Sequence, residues 1–237
     1  MKKILISNDD GIMAKGIIRL SLVAKKFGEV YVVAPDSERS AMSHSLTLRR
    51  NLKVWEVDFP VEGVKAYAFD GKPADCVRLG VLNIVPGKPD VVLSGINYGF
   101  NVAGDIQYSA TAGAAFEGAF QGIHSIAFSE DSKNIHEVTD KYIEDILREL
   151  LDKPLGVNEI WNVNFPACHI DECQGILEDR IVSTDNFYED TYHEKRIDDK
   201  TVEYELEGNR ILKGTEGTDL DAVLNNYVSI GKVKNVG

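Results

Sequence analysis

The stretch Ile4-Leu5-Ile6-Ser7-Asn8-Asp9-Asp10-Gly11 decides the fold class of this chain. Its apolar start is typical of a short buried strand, and the polar run at 8–11 ends that strand in a turn. Apolar residues then recur at helical spacing from Gly16 to Phe27, with Gly28 as a candidate helix C-cap. A second buried-type strand follows at 30–34. The order strand, helix, strand predicts a parallel pair with a right-handed crossover.

Strands and helices continue to alternate along the chain. We predict strands at 91–93 and 126–128, and a core that continues to 164–166. Helices are predicted at 73–82, 109–120 and 134–150, with Pro73 at the first helical position and with Asn134 and Glu137 forming a capping box. Residues 46–69 alternate between apolar and polar side chains, which predicts an inserted β-hairpin or two. The fold class is α/β, with a doubly wound, mostly parallel sheet.

The sequence beyond about residue 175 differs in character. Short strand-like pieces at 181–183 and 202–206 lie among many charged residues, as in an extended arm. A helix at 219–227 and a strand at 228–230 close the chain. We therefore divide the chain into an α/β core at 1–175 and a C-terminal arm or hairpin with a closing helix and strand at 176–237.

Composition restricts the partners. The chain has 237 residues, 43% of them hydrophobic, and a formal net charge of -12 at pH 7. That charge opposes attraction to nucleic-acid polymers and to anionic membranes. The cysteines Cys76, Cys168 and Cys173 show no Cys-x-x-Cys spacing, which favours a reducing compartment. No apolar run reaches the roughly 18 residues of a membrane span. The opening residues resemble the start of a signal peptide, but the polar residues 8–10 interrupt its apolar stretch. We expect a cytoplasmic protein.

Candidate site residues follow the predicted strands. Ligands of open parallel sheets bind beyond the carboxyl ends of the strands, where the runs 8–11, 35–40 and 94–97 lie. Ionised Asp9 and Asp10 would repel by about 4 kcal/mol at ~4 Å and an effective dielectric near 20. A hard divalent cation offsets that repulsion, and the hydroxyl of Ser40 and the amide carbonyl of Asn97 are further oxygen donors that suit Mg²⁺ or Mn²⁺. The alternative is an ordinary turn, because Asp and Gly are common turn formers.

A second candidate is the predicted helix start at 108–113, after a loop at 97–101. Free N–H groups of a helix N-terminus hold phosphate, and the hydroxyls of Ser109 and Thr111 add donors. Helix capping with tight packing explains the same residues equally well. The five histidines show no paired metal-ligand spacing, so we interpret each as a surface or packing residue. The chain has no Gly-x-Ser-x-Gly elbow, Walker A loop or dinucleotide fingerprint.

Several motifs together resemble the SurE family of 5′/3′-nucleotidases, and they occur in order along nearly the whole chain. These motifs are Ile4-Leu5-Ile6-Ser7-Asn8-Asp9-Asp10-Gly11, Val33-Ala34-Pro35-Asp36, Glu38-Arg39-Ser40-Ala41, Gly71-Lys72-Pro73-Ala74-Asp75, Ser94-Gly95-Ile96-Asn97, Tyr108-Ser109-Ala110-Thr111, Asn162-Val163-Asn164-Phe165-Pro166 and Glu216-Gly217-Thr218-Asp219.

The resemblance implies a metal-dependent phosphomonoesterase with a Rossmann-like core. It implies release of phosphate from nucleoside 5′- and 3′-monophosphates by attack of a metal-activated water on phosphorus. One Mg²⁺ or Mn²⁺ per subunit would bind Asp9, Asp10, Ser40 and Asn97, with Asp9 and Asp10 also catalytic. Phosphate contacts carry over to Asn101, Ser109 and Thr111. The C-terminal arm would be exchanged between subunits of a homodimer or homotetramer.

Several departures and two alternatives accompany this interpretation. Lys72 stands where Thr is common in the family, and residues 229–232 lack the usual Thr-Pro ending. Ala110 and Asn226 stand where the family usually has Gly, and Ala110 would crowd a phosphate if its backbone needed a positive φ. A non-catalytic nucleotide-binding protein is therefore one alternative. The other is a haloacid-dehalogenase-like phosphatase with an aspartate nucleophile, although that chemistry uses Asp-x-Asp rather than adjacent aspartates.

Overall fold

The first strand lies in the middle of a nine-stranded sheet. In the computed structural model, which describes residues 1–236, β1 (Lys2–Ser7) pairs in parallel with β2 (Gly28–Pro35) and with β5 (Val91–Tyr98). Ile4, Leu5 and Ile6 are fully buried, because both faces of the sheet are covered. This arrangement confirms the α/β class with a mostly parallel sheet.

Six further strands complete the main sheet. They are β3 (Val54–Glu56), β4 (Lys65–Phe69), β6 (His124–Glu130), β7 (Glu159–Phe165), β8 (Gly175–Leu177) and β11 (Tyr227–Lys234). The order is β3-β4-β2-β1-β5-β6-β7-β11-β8, and only β3–β4 and β7–β11 pair antiparallel. A separate antiparallel hairpin consists of β9 (Tyr188–Arg196) and β10 (Val202–Arg210).

Helices cover the two faces of the sheet. On one face lie α1 (Lys15–Ala24) and α4 (Glu137–Leu150), and their apolar residues share a core with Ile4 and Ile6. On the other face, α2 (Pro73–Leu79) and α3 (Ala110–Phe120) contribute to a core with Leu5. Each fully buried Leu or Ile stabilises the fold by about 1.5–3 kcal/mol. A short helix, α5 (Asp219–Leu224), precedes β11. No helix of the described chain combines the length and apolarity that crossing a membrane requires.

Two helix boundaries differ from the prediction. The first helix ends at Ala24, and Gly28 begins β2 rather than capping the helix. A Cβ at position 28 would lie 2.2 Å from the carbonyl oxygen of Lys2, so Gly is needed there for close strand approach. The predicted capping box of α4 is wrong, because His136 is the N-cap residue and makes no side-chain cap hydrogen bond.

The inserted and C-terminal segments also differ in detail. Only one hairpin, β3–β4, forms within 46–69, and residues 46–50 have no regular secondary structure. In the predicted strand 181–183, Ile181 makes a single isolated bridge to Thr218. The closing strand is longer than expected and lies between β7 and β8 in the main sheet. The division of the chain at residue 175 stays a prediction.

The strand order determines where ligands bind. From β1 the chain builds outward to β2 and β4, and then returns to build β5, β6 and β7 on the other side. The order therefore reverses between β1 and β5. A crevice outside the carboxyl ends of strands is expected at such a reversal. The polar runs after β1 and β2 and the polar end of β5 all belong to this edge of the sheet.

Candidate functional site

Asp9 lies directly beyond the end of β1 and is only 3% exposed. Its Oδ1 accepts a hydrogen bond from the hydroxyl of Thr111 in the first turn of α3. The pKa of Asp9 is raised to about 7: burial is the main cause, the hydrogen bond from Thr111 opposes the rise, and the charge of Asp10 adds to it. A buried carboxyl of this kind resists ionisation until a positive charge comes close.

Asp10 faces more solvent than Asp9. Its Oδ2 accepts a long hydrogen bond of 3.3 Å from the amide of Tyr98, at the end of β5. Burial raises the pKa of Asp10, and the charges of Glu38 and Glu130 act in the same direction. Within residues 1–236, no Lys, Arg or His nitrogen lies within 4.0 Å of the carboxylate of Asp9 or Asp10. In the part of the chain that the structure describes, the two acids therefore form no ion pair with a cationic side chain.

The loop after β2 packs against the loop after β1. The amide of Arg39 donates to the carbonyl oxygen of Asp9 at 2.7 Å, and the amide of Ile12 donates to that of Pro35 at 2.8 Å. Ser40 follows Arg39 directly and is exposed, with its hydroxyl donating to Oε1 of Glu38 at 3.0 Å. The backbone thus brings the Ser40 loop to the acid pair, while the Ser40 side chain is hydrogen-bonded to Glu38.

Asn97 occupies the end of β5. The strand does not stop at Ser94 as predicted but continues to Tyr98, with a register shift against β6 between Ser94 and Asn97. The Nδ2 of Asn97 donates to the carbonyl oxygen of Gly99 at 2.9 Å. That bond uses the nitrogen of the amide and leaves its oxygen for a ligand.

The start of α3 combines a cap with a contact to the acid pair. Ser109 is the N-cap residue, and its hydroxyl accepts from the amide of Ala112 at 2.9 Å, so the capping alternative holds for Ser109. The hydroxyl of Thr111 hydrogen-bonds Asp9 in this structure, and the role of Thr111 in phosphate binding stays a prediction. Ala110 begins the helix and is not among the described residues with positive φ. The backbone at Ala110 therefore does not require Gly.

Asn101 lies inside the protein, 5% exposed. Its Nδ2 donates to the hydroxyl of Ser129 at 2.7 Å, and its backbone amide donates to Oδ1 of Asn164 at 2.8 Å. Its carbonyl oxygen accepts from Nδ2 of Asn162 at 2.9 Å and of Asn164 at 3.2 Å. These contacts hold the loop between β5 and α3 against β6 and β7. The role of Asn101 in phosphate binding stays a prediction.

The donor groups around Asp9 fit a hard cation. Asn8 is fully buried, its Nδ2 donates to the carbonyl oxygen of Gly11 at 2.9 Å, and its Oδ1 has no hydrogen-bond partner. No group of three or more His, Cys, Asp and Glu side chains in the described chain is arranged to hold a metal ion. The oxygens of two carboxylates, a hydroxyl and an amide are ligands that suit Mg²⁺ or Mn²⁺ better than Zn²⁺.

Sequence reasoning missed a buried ionic cluster behind the site. Glu117 of α3 has a side chain only 1% exposed and accepts from Nε of Arg78 at 2.7 Å. Nε2 of His44 lies 2.8 Å from Glu117, and Gln121 donates to the same carboxylate. Burial raises the pKa of Glu117, but these hydrogen bonds outweigh burial and lower it. The sequence signal that could have indicated this cluster was Glu117, the single acidic residue in the helix ATAGAAFEGAF of small and apolar residues.

Comparison with known proteins gives the chain a family. A family model described as Survival protein SurE matches residues 4–186. The chain belongs to the SurE family. It is 43% identical to 5′-nucleotidase SurE 1 of Thermus thermophilus, over 98% of this chain and 91% of that protein. It is 37% identical to 5′-nucleotidase SurE of Mesorhizobium japonicum, over 96% and 91% of the two chains.

A solved SurE structure has the same fold. The crystal structure of the SurE protein from Aquifex aeolicus superposes with a TM-score of 0.83 at 38% identity, covering 98% of this chain and 93% of that one. The departure from the SurE pattern at Asn226 has a physical explanation. Asn226 has a φ of 61°, in the left-handed region that Gly adopts freely and that Asn tolerates better than most residues.

Proposed function

We propose that this SurE-family chain is a divalent-metal-dependent nucleotidase that hydrolyses nucleoside 5′- and 3′-monophosphates to nucleoside and phosphate. The observation that carries the proposal is the acid pair Asp9 and Asp10 at the reversal of strand order, where no Lys, Arg or His nitrogen of residues 1–236 lies within 4.0 Å of either carboxylate. Relatives named 5′-nucleotidase that align over more than nine-tenths of this chain support the same activity.

The proposed metal ligands are Asp9, Asp10, Ser40 and Asn97, and the ion is one Mg²⁺ or Mn²⁺ per subunit. The ion, when bound, polarises a phosphate oxygen and lowers the pKa of the water that attacks phosphorus. Asp9 or Asp10 accepts the proton of that water. Ser40 reaches the ion only if its hydroxyl leaves Glu38.

The remaining residues hold the acid pair and the phosphate. Thr111 orients Asp9 through their hydrogen bond and so acts as a positioning residue. The free N–H groups at the start of α3, next to Ser109, stabilise negative charge on the phosphate. Asn101, Ser109 and Thr111 are the proposed phosphate contacts. The substrate is a small molecule, because the net charge of -12 disfavours a nucleic-acid polymer.

We also propose a cytoplasmic homodimer or homotetramer formed by exchange of the C-terminal arm. The β9–β10 hairpin supports this proposal, since nearly all of its residues are exposed and it pairs with no other strand of the described chain. Its exposed apolar side chains include Tyr192, Tyr204 and Leu206. Exposed apolar surface of this kind marks an interaction site. The free cysteines agree with a reducing compartment.

The test of the enzyme activity is phosphate release from AMP before and after removal of divalent metal. We expect a chelator to abolish release and Mn²⁺ or Mg²⁺ to restore it. The Asp9→Asn variant should keep its fold by circular dichroism and lose both metal affinity and activity. Asp145→Asn, at an exposed position on α4, is the matched control and should behave as wild type. Undiminished turnover in chelator contradicts the proposal, and AMP binding without any release indicates a non-catalytic binding protein.

A further inference from the structure

A cavity of about 300 Å³ lies beside the first turns of α3. Apolar Ile106 and Phe116 line it, together with polar groups of His44, Gln107, Ser109 and Asn235. Small-molecule sites in proteins begin at about this volume and combine apolar walls with a few polar groups. Ser109 belongs both to this cavity and to the proposed phosphate end of the site. The cavity therefore begins where the phosphate of a nucleotide would end.

The buried ionic cluster determines which ring nitrogen of His44 donates a hydrogen bond and which accepts one. Nε2 of His44 lies 2.8 Å from Oε2 of Glu117, and the guanidinium of Arg78 lies 2.7 Å from the other carboxylate oxygen. A carboxylate beside Arg accepts hydrogen bonds and cannot donate one. Nε2 of His44 therefore donates its proton to Glu117, which leaves Nδ1 as the nitrogen that accepts hydrogen bonds. His44 is fixed further by packing against the ring of Phe120, with centroids 5.0 Å apart.

The lone pair of Nδ1 already accepts a hydrogen bond. Nδ2 of Asn235 lies 3.3 Å from Nδ1 of His44, near the exposed end of the chain described by the structure. An amide NH₂ group is planar and donates in the same way as the exocyclic amino group of adenine or cytosine. The Asn235 amide thus marks a position at which an amino group is preferred over a carbonyl oxygen.

We propose that this cavity is the base subsite of the proposed nucleotidase, and that His44 selects bases with an exocyclic amino group through Nδ1. The inference rests on the proposed function. AMP and IMP test this preference, because adenine has an amino group at position 6 where hypoxanthine has an oxo group. The amino group donates to Nδ1 and displaces Asn235. The oxo group faces the lone pair of Nδ1 without a proton between them, which weakens binding about tenfold.

The experiment measures dissociation constants of AMP and IMP by titration calorimetry with the full chain in chelator, so that neither nucleotide is hydrolysed during the titration. We expect AMP to bind about tenfold more tightly than IMP. His44→Phe keeps a ring against Phe120 but removes the acceptor, so the two constants should become equal. Asn235→Ala removes the competing donor and should tighten AMP a few-fold without changing IMP. His193→Phe, at an exposed position of the β9–β10 hairpin, is the matched control.

Equal constants for AMP and IMP in the wild type overturn the inference, as does a tenfold preference that survives in His44→Phe. Asn235→Ala provides the answer if His44→Phe fails to fold, because unchanged AMP binding in that variant also contradicts the proposal. The proposed nucleotidase activity and the proposed base subsite can be contradicted separately. Metal-dependent phosphate release from AMP and IMP at equal affinity leaves the nucleotidase standing and removes the base subsite. A tenfold difference in affinity without any phosphate release supports the base subsite and contradicts the nucleotidase activity.

Discussion

Thr111 donates its hydroxyl proton to Oδ1 of Asp9, although the two residues are 102 positions apart in the chain. The bond joins the end of β1 to the first turn of α3, and both residues are nearly inaccessible to solvent. It fixes the carboxyl of Asp9 relative to the helix start at which we place the phosphate. Substitutions of Thr111 should therefore weaken metal binding, although Thr111 is not itself a proposed metal ligand.

Replacing Thr111 by Val keeps the shape of the side chain and removes its hydroxyl. We expect the affinity for Mn²⁺ to fall about 10- to 100-fold, the usual cost of losing a hydrogen bond to a metal ligand. Metal titration calorimetry measures this, with Thr111→Ser as the control that restores the donor. A Val variant that binds Mn²⁺ as tightly as the wild type would show that Asp9 is oriented by other contacts.

Glu117 gives the protein a stability contribution that depends on pH. Its pKa is lowered below the ordinary 4.5 by hydrogen bonds from His44, Arg78 and Gln121, so the folded state favours the carboxylate. This stabilisation is complete above about pH 4.5 and is lost as the pH falls through the lowered pKa. We expect Glu117→Gln to reduce the free energy of unfolding by about 3 kcal/mol at neutral pH, with a smaller difference in acid.

Urea denaturation at several pH values checks the behaviour of Glu117. The matched control is Glu149→Gln, at a half-exposed position on α4 that pairs with Lys153. An exposed pair is worth at most about 1 kcal/mol, so its loss should have little effect. A Glu117→Gln variant with the same deficit at acid and neutral pH would argue against the ionised carboxylate as the source of stability.

The left-handed backbone of Asn226 predicts an asymmetric response to substitution. A side chain in this region costs roughly 1–2 kcal/mol, and Asn tolerates it better than Ala. We expect Asn226→Ala to lower the free energy of unfolding by about 1 kcal/mol, whereas Asn226→Gly should equal or exceed the wild type. Thermal and urea denaturation distinguish the two variants. Equal stability of the Ala and Gly variants would contradict the role of φ at this position.

Removal of the β9–β10 hairpin tests the proposed arm exchange. The two ends of the hairpin are held together by a backbone hydrogen bond, in which the amide of Ile211 donates to the carbonyl oxygen of Phe187 at 2.8 Å. Residues 189–209 can therefore be replaced by a short Gly-Ser turn without opening the main sheet. We expect a dimer or tetramer to become a monomer of similar melting temperature, measured by light scattering and calorimetry. An unchanged subunit number after removal would place the subunit contacts elsewhere.

Local sequence patterns were sufficient for the elements that lie closest to the site. The apolar run of β1 is buried on both faces, and a run of this kind is a feature of a parallel sheet covered by helices. Ser109 caps α3, which was one of the alternatives left open by the sequence, because capping depends on residues three positions apart. The strand-end rule then placed the acids and Asn97 at one edge of the sheet. These predictions depend on neighbours in the chain or on topology alone.

Contacts between distant segments were beyond the reach of such patterns. The hydrogen bond from Thr111 to Asp9 and the cluster of Glu117, Arg78 and His44 join segments whose approach depends on packing. The capping prediction at Asn134 failed for the same reason, because Glu137 accepts from His169 and from the amide of Ile170 instead. Local signals compete with tertiary partners, and buried or well-paired groups decide the outcome.

The position of β11 between β7 and β8 affects how the protein is made. Strand β7 is complete at residue 165, but its second neighbour begins only at residue 227, so one edge of a buried, apolar strand stays open while some sixty residues are translated. At about 5–20 residues per second, the ribosome leaves that edge unpaired for several seconds. During this interval the nascent sheet offers free N–H and C=O groups to any extended chain nearby. The growing polypeptide is therefore most exposed to aggregation late in synthesis, and chaperone demand should fall once β11 emerges.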